Sequence, residues 1–280
     1  MEPLTISMIG MGGMAVVLAS ALGVADRFLR VESDPRVDDI DDILPSANCG
    51  GCGYPGCRAY AEAVVKGEVS PDKCAPGGSE VAADVAAVMG AEVGEMVKRI
   101  AIVHCQTVGN DRKLRGVYHG PESCAASEQL GGHTECVYGC LGLADCVRSC
   151  TFDALHMIQG LPVVDPDKCT ACGQCVEACP RDIITLETLD PEHGVVYVAC
   201  NSRDKGPAAK AVCDQSCIAC GICKKKSEHG LFDVRDFLAV PLQEAISEYQ
   251  EEADELIAKC PRSAIVREHA VIQIEKTDAA

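Results

Sequence analysis

Residues 168–180 read KCTACGQCVEACP and decide how the chain is organised. The stretch places four cysteines at C-x2-C-x2-C-x3-C spacing ahead of a proline, namely Cys169, Cys172, Cys175 and Cys179. Cysteine thiolates at this spacing are ligands of iron–sulfur clusters. The chain has 20 cysteines in 280 residues, far more than an ordinary globular protein. Since a chain of this length does not need disulfides to be stable, we interpret the cysteines as metal ligands.

A second cysteine run precedes this motif and predicts a pair of clusters. It reads Cys136-x3-Cys140-x5-Cys146-x3-Cys150, with longer gaps than usual and Thr151 where proline is usual. In two-cluster bacterial ferredoxins the last cysteine of each motif crosses to the other cluster. One predicted 4Fe-4S cluster is therefore held by Cys136, Cys140, Cys146 and Cys179. The other is held by Cys150, Cys169, Cys172 and Cys175.

The C-terminal region repeats this pattern with one cluster missing. Cys260-Pro261-Arg262 matches Cys179-Pro180-Arg181, yet the ligand positions of one cluster carry other residues: Ser227, Gln250, Ala253 and Leu256. The ligands of the other cluster are all present: Cys217, Cys220, Cys223 and Cys260. Because the crossed-ligand rule assigns the four lost positions to a single cluster, we interpret the break as the deletion of one cluster from a ferredoxin-like pair.

The first cysteine group lies nearer the N-terminus and predicts a single cluster. Its C-x2-C-x4-C-x16-C spacing contains Cys49, Cys52, Cys57 and Cys74. Glycines around the first three cysteines allow tight turns, and residues 58–66 read as a short helix. Structural zinc is the alternative, but the chain lacks a second C-x2-C pair here, which favours iron–sulfur.

Four cysteines remain outside these sets: Cys105, Cys124, Cys200 and Cys213. Cys105 ends the apolar run IAIVHC and Cys200 ends VVYVAC, and each run is followed by a polar loop with a further cysteine. If the two runs are neighbouring strands, the four thiols could form a fifth centre. The alternative is that they are reduced thiols, some of them buried as small apolar side chains.

The N-terminal segment is apolar. Residues 3–25 contain no charged side chain over 23 positions, which predicts a transmembrane helix; a signal peptide would need a positive segment ahead of it. Arg27 and Arg30 follow the segment and place the remainder of the chain in the cytoplasm by the positive-inside rule. Residues 31–43 are acidic without a sustained period and predict a solvated tether.

The charge distribution excludes some partners and suggests another. A formal net charge of −17 argues against nucleic-acid binding. Basic residues lie on both sides of the C-terminal motif that runs from Cys217 to Cys223. Those that follow it are Lys224, Lys225 and Lys226, and those that precede it are Arg203, Lys205 and Lys210. An acidic electron carrier could dock there, or the lysines form a solvated loop. The sequence contains no nucleophile with its base and no flavin or nucleotide fingerprint, so we predict no complete active site in this chain.

Several stretches closely resemble the B subunit of the Rnf complex, an ion-translocating ferredoxin:NAD oxidoreductase: NCGGCGYPGC, CVYGCLGLADCVRSC, KCTACGQCVEACP and NSRDKGPAAKAVC. The chain resembles the longer form, which carries extra C-terminal ferredoxin motifs, and departs from it by losing one cluster. The resemblance implies an electron-transfer protein at the inner (cytoplasmic) membrane. Such a protein accepts electrons from reduced ferredoxin and passes them to other membrane and peripheral subunits, ultimately to NAD, with ion movement.

We therefore predict an α+β protein with an N-terminal transmembrane helix, a small helical 4Fe-4S module, a two-cluster bacterial ferredoxin-like module and a degenerate second ferredoxin-like module. The predicted boundaries are 1–30 for the single-pass anchor, 31–43 for the tether, 44–98 for the single-cluster module, 99–199 for the two-cluster module with its preceding strand, and 200–280 for the degenerate module. Four 4Fe-4S clusters are predicted, with a fifth centre left open. Alternative functions are an iron–sulfur component of another membrane redox complex, a system that reduces a transcription factor, and a zinc-stabilised cytoplasmic binding module.

Overall fold

The computed structural model describes residues 3–29, 34–91, 94 and 97–268, and in the first helix it describes the side chains of residues 11–27. The remaining positions lie outside the described residues, including the last part of the predicted degenerate module, 269–280. Short helices alternate with antiparallel pairs of strands, which agrees with the α+β content expected from the sequence. The helices of the N-terminal part are α1 (Pro3–Leu29), α2 (Pro35–Ile43), α3 (Cys57–Val65) and α4 (Gly78–Met89).

The predicted transmembrane helix needs correction. Helix α1 forms where the apolar segment predicts a helix. Among the described residues, however, no helix has both the length and the apolar character needed to cross a membrane. The prediction of a membrane-spanning helix at residues 3–25 is therefore wrong, and Arg30 lies outside the described residues.

Helix α2 occupies most of the stretch expected to be a solvated tether. The Asp34 carboxylate caps it by accepting a hydrogen bond from the Arg36 amide at 3.0 Å, and Pro35 suits the first helical position. Val37 and Ile40 lie on one face at i, i+3 spacing and are buried against α3 and α4. Residues 35–43 are thus part of a three-helix core, because two apolar side chains at helical spacing are enough to dock this acidic segment.

The middle of the chain folds as one strand-and-hairpin unit. Its elements are β1 (Arg99–Val103), α5 (Cys124–Gln129), α6 (Asp145–Arg148), β2 (Leu155–Ile158), β3 (Leu161–Val164), α7 (Gln174–Glu177) and β4 (Ile184–Thr188). Strand β1 pairs antiparallel with β4, and β2 forms a hairpin with β3. Ile100 and Ile102 of β1 are buried in a core that contains cluster-motif cysteines. The strand before the ferredoxin-like motifs is therefore joined to the strand that follows them.

The C-terminal part repeats this topology. Its elements are β5 (Val195–Val198), α8 (Gly206–Val212), α9 (Ile222–Lys226), β6 (Phe232–Arg235), β7 (Leu238–Pro241), α10 (Gln243–Glu248), α11 (Gln250–Ala258) and β8 (Ile265–Glu268). Strand β5 pairs antiparallel with β8, and β6 forms a hairpin with β7. Each unit thus consists of an outer strand pair that encloses a hairpin.

The two units meet where β1 and β5 end. These strands belong to different sheets, so they are not paired with each other. The His104 side chain, which follows β1, donates a hydrogen bond through Nδ1 to the carbonyl of Val198 at the end of β5, at 2.8 Å. The Gln106 amide donates to the Ser263 carbonyl at 3.0 Å. These contacts bring the loops that begin with Cys105 and Cys200 to the same junction.

The positions at which the sequence predicts a deleted cluster carry apolar and hydrogen-bonded side chains. Ala253 and Leu256 of α11 are fully buried in the core of the second unit. The Ser227 hydroxyl donates to Glu252 at 2.8 Å and accepts from the Leu231 amide at 2.8 Å. Burial alone would raise the pKa of Glu252, but hydrogen bonds from His229, Ser227 and two backbone amides lower it to about 2. Three of the four lost ligand positions therefore have structural roles that a cluster cannot share.

The substitution Leu256→Ala should destabilise the second unit, because it opens a cavity in a core that has replaced a cluster. We expect a loss of about 2–5 kcal/mol in the free energy of unfolding. Denaturant unfolding followed by far-ultraviolet circular dichroism under anaerobic conditions measures it. Leu130→Ala is the control, since the Leu130 side chain is 79% exposed. Equal effects of the two substitutions would contradict this account of the missing cluster.

Candidate metal centres

All 20 cysteines lie in the described part of the chain, and none of them forms a disulfide. Within the described residues, no group of three or more histidine, cysteine or carboxylate side chains is arranged to hold a metal ion directly. A four-iron cluster binds its thiolates at separate iron atoms, so its ligands surround a volume instead of converging on a point. We therefore compare the cavities and the cysteines that line them.

One cavity is lined by the second predicted ligand set: Cys150, Cys169, Cys172 and Cys175. The amide of Ala101 in β1 donates to Cys169 Sγ at 3.4 Å, and the amide of Ala154 donates to Cys150 Sγ at 3.4 Å. Such N–H···S bonds tune iron–sulfur clusters by stabilising charge on sulfur. The cavity is otherwise lined mainly by apolar side chains, among them Phe152 and Leu155. The residues present fit a cluster with four thiolate ligands.

A second cavity differs from the predicted set at one position. It is lined by Cys124, Cys140, Cys146 and Cys179. Three of these belong to the predicted set, whereas Cys136 lines a different cavity. If Cys150 is the last cysteine of a C-x2-C-x2-C-x3-C motif, the first and third cysteines are Cys140 and Cys146. Leu143 then stands at the position of the second cysteine, which explains the difference. That spacing is a signal in the sequence that Cys140 to Cys150 form a motif lacking one ligand.

Helix α5 supplies the cysteine that fills this gap. Ser123 caps the helix, and its hydroxyl donates to the Asp145 carboxylate at 3.0 Å. The same carboxylate accepts a hydrogen bond from the Ala125 amide at 3.0 Å. Because Asp145 directly precedes Cys146 in the chain, these two hydrogen bonds hold Cys124 beside Cys146.

Arg181 fixes the position of Cys136. Its buried guanidinium donates to the carbonyl of Cys136 at 2.8 Å and to that of Gly139 at 2.7 Å. The Nε atom donates to the Glu128 carboxylate at 2.7 Å. A buried, charge-assisted network of this kind is stronger than bonds between neutral groups. It holds the loop before Cys140 in one conformation.

The C-terminal set lines a cavity of its own, with Cys217, Cys220, Cys223 and Cys260. Cys223 lies on α9 and is buried, and burial raises the pKa of its thiol to about 11. Cys220 is exposed, whereas the other 19 cysteines are buried or half-buried. Of all the ligand sets, this one therefore comes closest to solvent.

The first set lies in the α2–α4 unit. Burial raises the pKa of the Cys74 thiol, and the neighbouring thiolates of Cys57, Cys49 and Cys52 raise it further. The Asn48 side chain accepts a hydrogen bond from the Cys57 amide at 2.9 Å, which fixes the start of α3. The four cysteines predicted from the sequence are thus near one another.

This first set is docked directly onto the second ligand set. The Gln174 amide donates to the Cys49 carbonyl at 3.1 Å. Gly51 approaches the backbone of Cys172 so closely that a Cβ atom at Gly51 would lie 2.5 Å from the Cys172 oxygen. Only glycine permits this contact.

A further cysteine-lined cavity lies at the junction between the two units. Its cysteines are Cys105, Cys136, Cys140, Cys200 and Cys213. Three of the four cysteines left over in the sequence therefore line one cavity, and the fourth, Cys124, lines another. Arg112 and Lys113 also line the junction cavity and place positive charge beside the thiols.

Burial keeps the metal-free thiols protonated. It raises the pKa of Cys140, Cys146 and Cys175 to about 12 in each case. Neighbouring cysteine thiolates contribute to these raised pKa values after burial. Ligation by iron requires the thiolate form, so metal binding at these sites releases protons.

The basic residues near the last set differ in their environment. Lys224 forms an ion pair with Asp233 at 2.7 Å, whereas Lys225 and Lys226 are exposed at the end of α9. The three residues from the preceding loop and helix, Arg203, Lys205 and Lys210, are also exposed. The free positive charge on α9 is therefore carried by Lys225 and Lys226.

Comparisons with known proteins support the binding of iron–sulfur clusters. A family model described as "Putative Fe-S cluster" matches residues 44–76, and one described as "4Fe-4S binding domain" matches residues 162–185. The chain is 39% identical over 257 residues to the B subunit of the ion-translocating oxidoreductase complex of Methanosarcina acetivorans, covering 91% of this chain and 95% of the relative. It is 37% identical to the B subunit of the proton-translocating ferredoxin:NAD(+) oxidoreductase complex of Clostridium ljungdahlii, covering 90% and 88%.

A longer relative is the B subunit of the Na(+)-translocating ferredoxin:NAD(+) oxidoreductase complex of Acetobacterium woodii. The chain is 44% identical to it over 209 residues, which cover 74% of this chain and 62% of the relative. The match thus spans less than two thirds of that protein.

The substitution Gly51→Ala should separate the first ligand set from the second, because the new methyl group would overlap the Cys172 carbonyl. We expect a loss of about 1–3 kcal/mol in stability from the forced shift. We also expect a weaker magnetic interaction between the corresponding clusters in the electron paramagnetic resonance spectrum of the reduced protein. Gly116→Ala is the control, since a Cβ there meets no atom within 4 Å. An unchanged interaction in Gly51→Ala would show that this contact does not set the distance between the two centres.

Proposed function

Because this chain belongs to the family of B subunits of ion-translocating (Rnf-type) oxidoreductase complexes, we propose that it is the iron–sulfur relay of such a complex. In this role it accepts electrons from reduced ferredoxin and passes them to partner subunits that carry out the reaction with NAD and the ion movement. Its cysteines bind four-iron clusters at the four predicted ligand sets, with Cys124 in place of Cys136 in one of these sets. Cluster chemistry provides one-electron steps, and the protein positions the clusters and tunes them through burial and hydrogen bonds to sulfur.

The observation that carries this proposal is the continuity of the cysteine-lined sites. The first set contacts the second through Gly51 and Cys172. The third set is that of Cys124, Cys140, Cys146 and Cys179. Helix α6, which contains Cys146 of this set, packs against α7, which contains Cys175 of the second set. Centres linked through direct backbone and helix contacts are suited to relay electrons, whereas zinc sites need no such arrangement.

The exposed C-terminal set is the proposed point at which electrons enter. Cys220 lies at the surface, and the exposed Lys225 and Lys226 follow it on α9. An acidic carrier such as ferredoxin would be steered toward this positive patch on a protein whose net charge is −17. Lys224 contributes less to steering because Asp233 neutralises it.

Charge reversal at this patch should slow reduction by ferredoxin. For the double variant Lys225→Glu/Lys226→Glu we expect a decrease of about tenfold or more in the second-order rate at low salt, because long-range attraction becomes repulsion. The difference should shrink as salt screens the charges. Stopped-flow measurement of the bleaching of the broad absorption near about 400 nm, under anaerobic conditions with reduced ferredoxin in excess, reports the rate.

The control variant carries the same charge change far from this patch. Lys66→Glu/Lys73→Glu alters two exposed lysines of the α2–α4 unit. We expect it to keep most of the rate and the salt dependence of the unmodified protein. Equal rates and equal salt slopes for the two double variants would exclude docking at Lys225 and Lys226. A protein without iron, holding zinc instead, would exclude the relay itself.

A further inference from the structure

We propose that Cys105, Cys136, Cys200 and Cys213 hold a fifth iron–sulfur centre at the junction between the two ferredoxin-like units. The proposal rests on the proposed function, since it assumes that the other four sets bind clusters. This set has Cys136 in place of Cys124 when it is compared with the four cysteines left over in the sequence. It also removes Cys136 from the cluster to which the spacing first assigned it.

The four thiols share one cavity although they come from four different segments. A Cβ atom built on Gly139 would lie 3.3 Å from Cys136 Sγ and 3.9 Å from Cys105 Sγ, so both sulfur atoms lie beside the same glycine. Cys105 and Cys200 follow the ends of β1 and β5, which the His104 side chain joins. Convergence of the thiols is therefore a consequence of how the two units pack.

The sulfur atoms have hydrogen-bonding partners like those of the other sites. The Ser202 amide donates to Cys200 Sγ at 3.4 Å, and the Cys140 amide lies 3.5 Å from Cys105 Sγ as a donor. The Thr107 hydroxyl oxygen lies 3.3 Å from Cys213 Sγ. At the second site, backbone amides make equivalent bonds to Cys150 and Cys169. A buried thiol that only fills space does not need such partners.

Equivalent arginines fix two of the four ligands. Arg181 and Arg262 follow the matching Cys-Pro pairs of the two units. Arg181 donates to the Cys136 carbonyl at 2.8 Å, and Arg262 donates to the Cys213 carbonyl at 3.0 Å. Each unit thus uses the same arginine to hold one loop of the junction cavity. A repeated device at a junction indicates that the two loops serve one shared site.

The assignment also accounts for every cysteine in the chain. With Cys124 in the set of Cys140, Cys146 and Cys179, Cys136 is released for the junction cavity. The 20 cysteines then divide into five sets of four. Leaving the junction thiols free would instead place four thiols around one cavity without a role.

The position of the fifth centre explains how the relay crosses between the two units. Cys140 lines both the junction cavity and that of the third set. On the other side, Cys200 is buried in the same core as Cys217 of the last set. The junction centre therefore adjoins a centre of each unit.

Metal analysis of the unmodified protein is the first test and does not depend on a variant. Iron and acid-labile sulfide are measured after anaerobic purification, together with zinc. The proposal predicts about 20 iron per chain. A value near about 16 would overturn the fifth centre while leaving the relay intact, and iron near zero would overturn the proposed function itself. About one zinc per chain beside about 16 iron would identify the junction as a zinc site and overturn the proposal.

Stepwise substitution then tests the ligand assignment. Cys105→Ala/Cys200→Ala should lower iron from about 20 to about 16 per chain. Adding Cys136→Ala should cause no further loss, because that ligand belongs to the centre already lost. Adding Cys124→Ala instead should lower iron to about 12, because it disables the third set. The opposite pattern for these two triple variants would return Cys136 to the ferredoxin pair and overturn the assignment.

Folding is monitored separately in each variant. Far-ultraviolet circular dichroism and the paramagnetic resonance signals of the remaining clusters should stay unchanged in the double variant. If all signals fall together, alkylation of the unmodified holoprotein with iodoacetamide, read by peptide mass spectrometry, decides the matter. The proposal predicts that Cys105, Cys136, Cys200 and Cys213 are all protected until iron is chelated, and labelling of these four in the holoprotein would overturn it.

Discussion

Each proposed iron–sulfur site in this protein needs four thiolates around one volume, and most of these sites take their cysteines from segments far apart in the chain. Every described sheet has only two strands, and a pair of strands is marginally stable by itself. The cores of both ferredoxin-like units contain the cysteines themselves, beside residues such as Ile102 and Phe232. Crossed ligands therefore join loops that the small sheets could not hold together. Metal binding and folding are coupled in such a design.

Sequence spacing predicts the parts of these sites that are local. The motif ending at Cys179 places its ligands within a dozen residues, so the chain has little freedom to separate them. The crossed-ligand rule also identified Ala253 and Leu256 as positions that had lost their role, and both are now core residues. Spacing did not indicate which cavities Cys124 and Cys136 line, because Asp145 and Arg181 set the course of their loops through contacts between distant residues.

The helical N-terminal part shows two further limits of local patterns. The acidic composition around Asp38 predicts a solvated segment, yet Val37 and Ile40 at helical spacing dock it onto α3 and α4. A count of charged residues does not detect two apolar side chains on one face. The apolar segment in α1 did predict a helix, but its membrane assignment was wrong, because length and hydropathy over the described residues do not reach what a bilayer requires.

The deleted cluster and the junction site are linked by geometry. In the second unit the lost ligand positions lie on α11 and at Ser227, where Leu256 and the Glu252 network fill the space. The retained set includes Cys217, which is buried in the same core as Cys200 of the junction. The unit has therefore kept the set that adjoins the junction and lost the other. Deleting the set that contains Cys217 and Cys220 would have removed the cysteine-lined site of the second unit that adjoins the junction, whereas deleting the other leaves a continuous series of cysteine-lined sites.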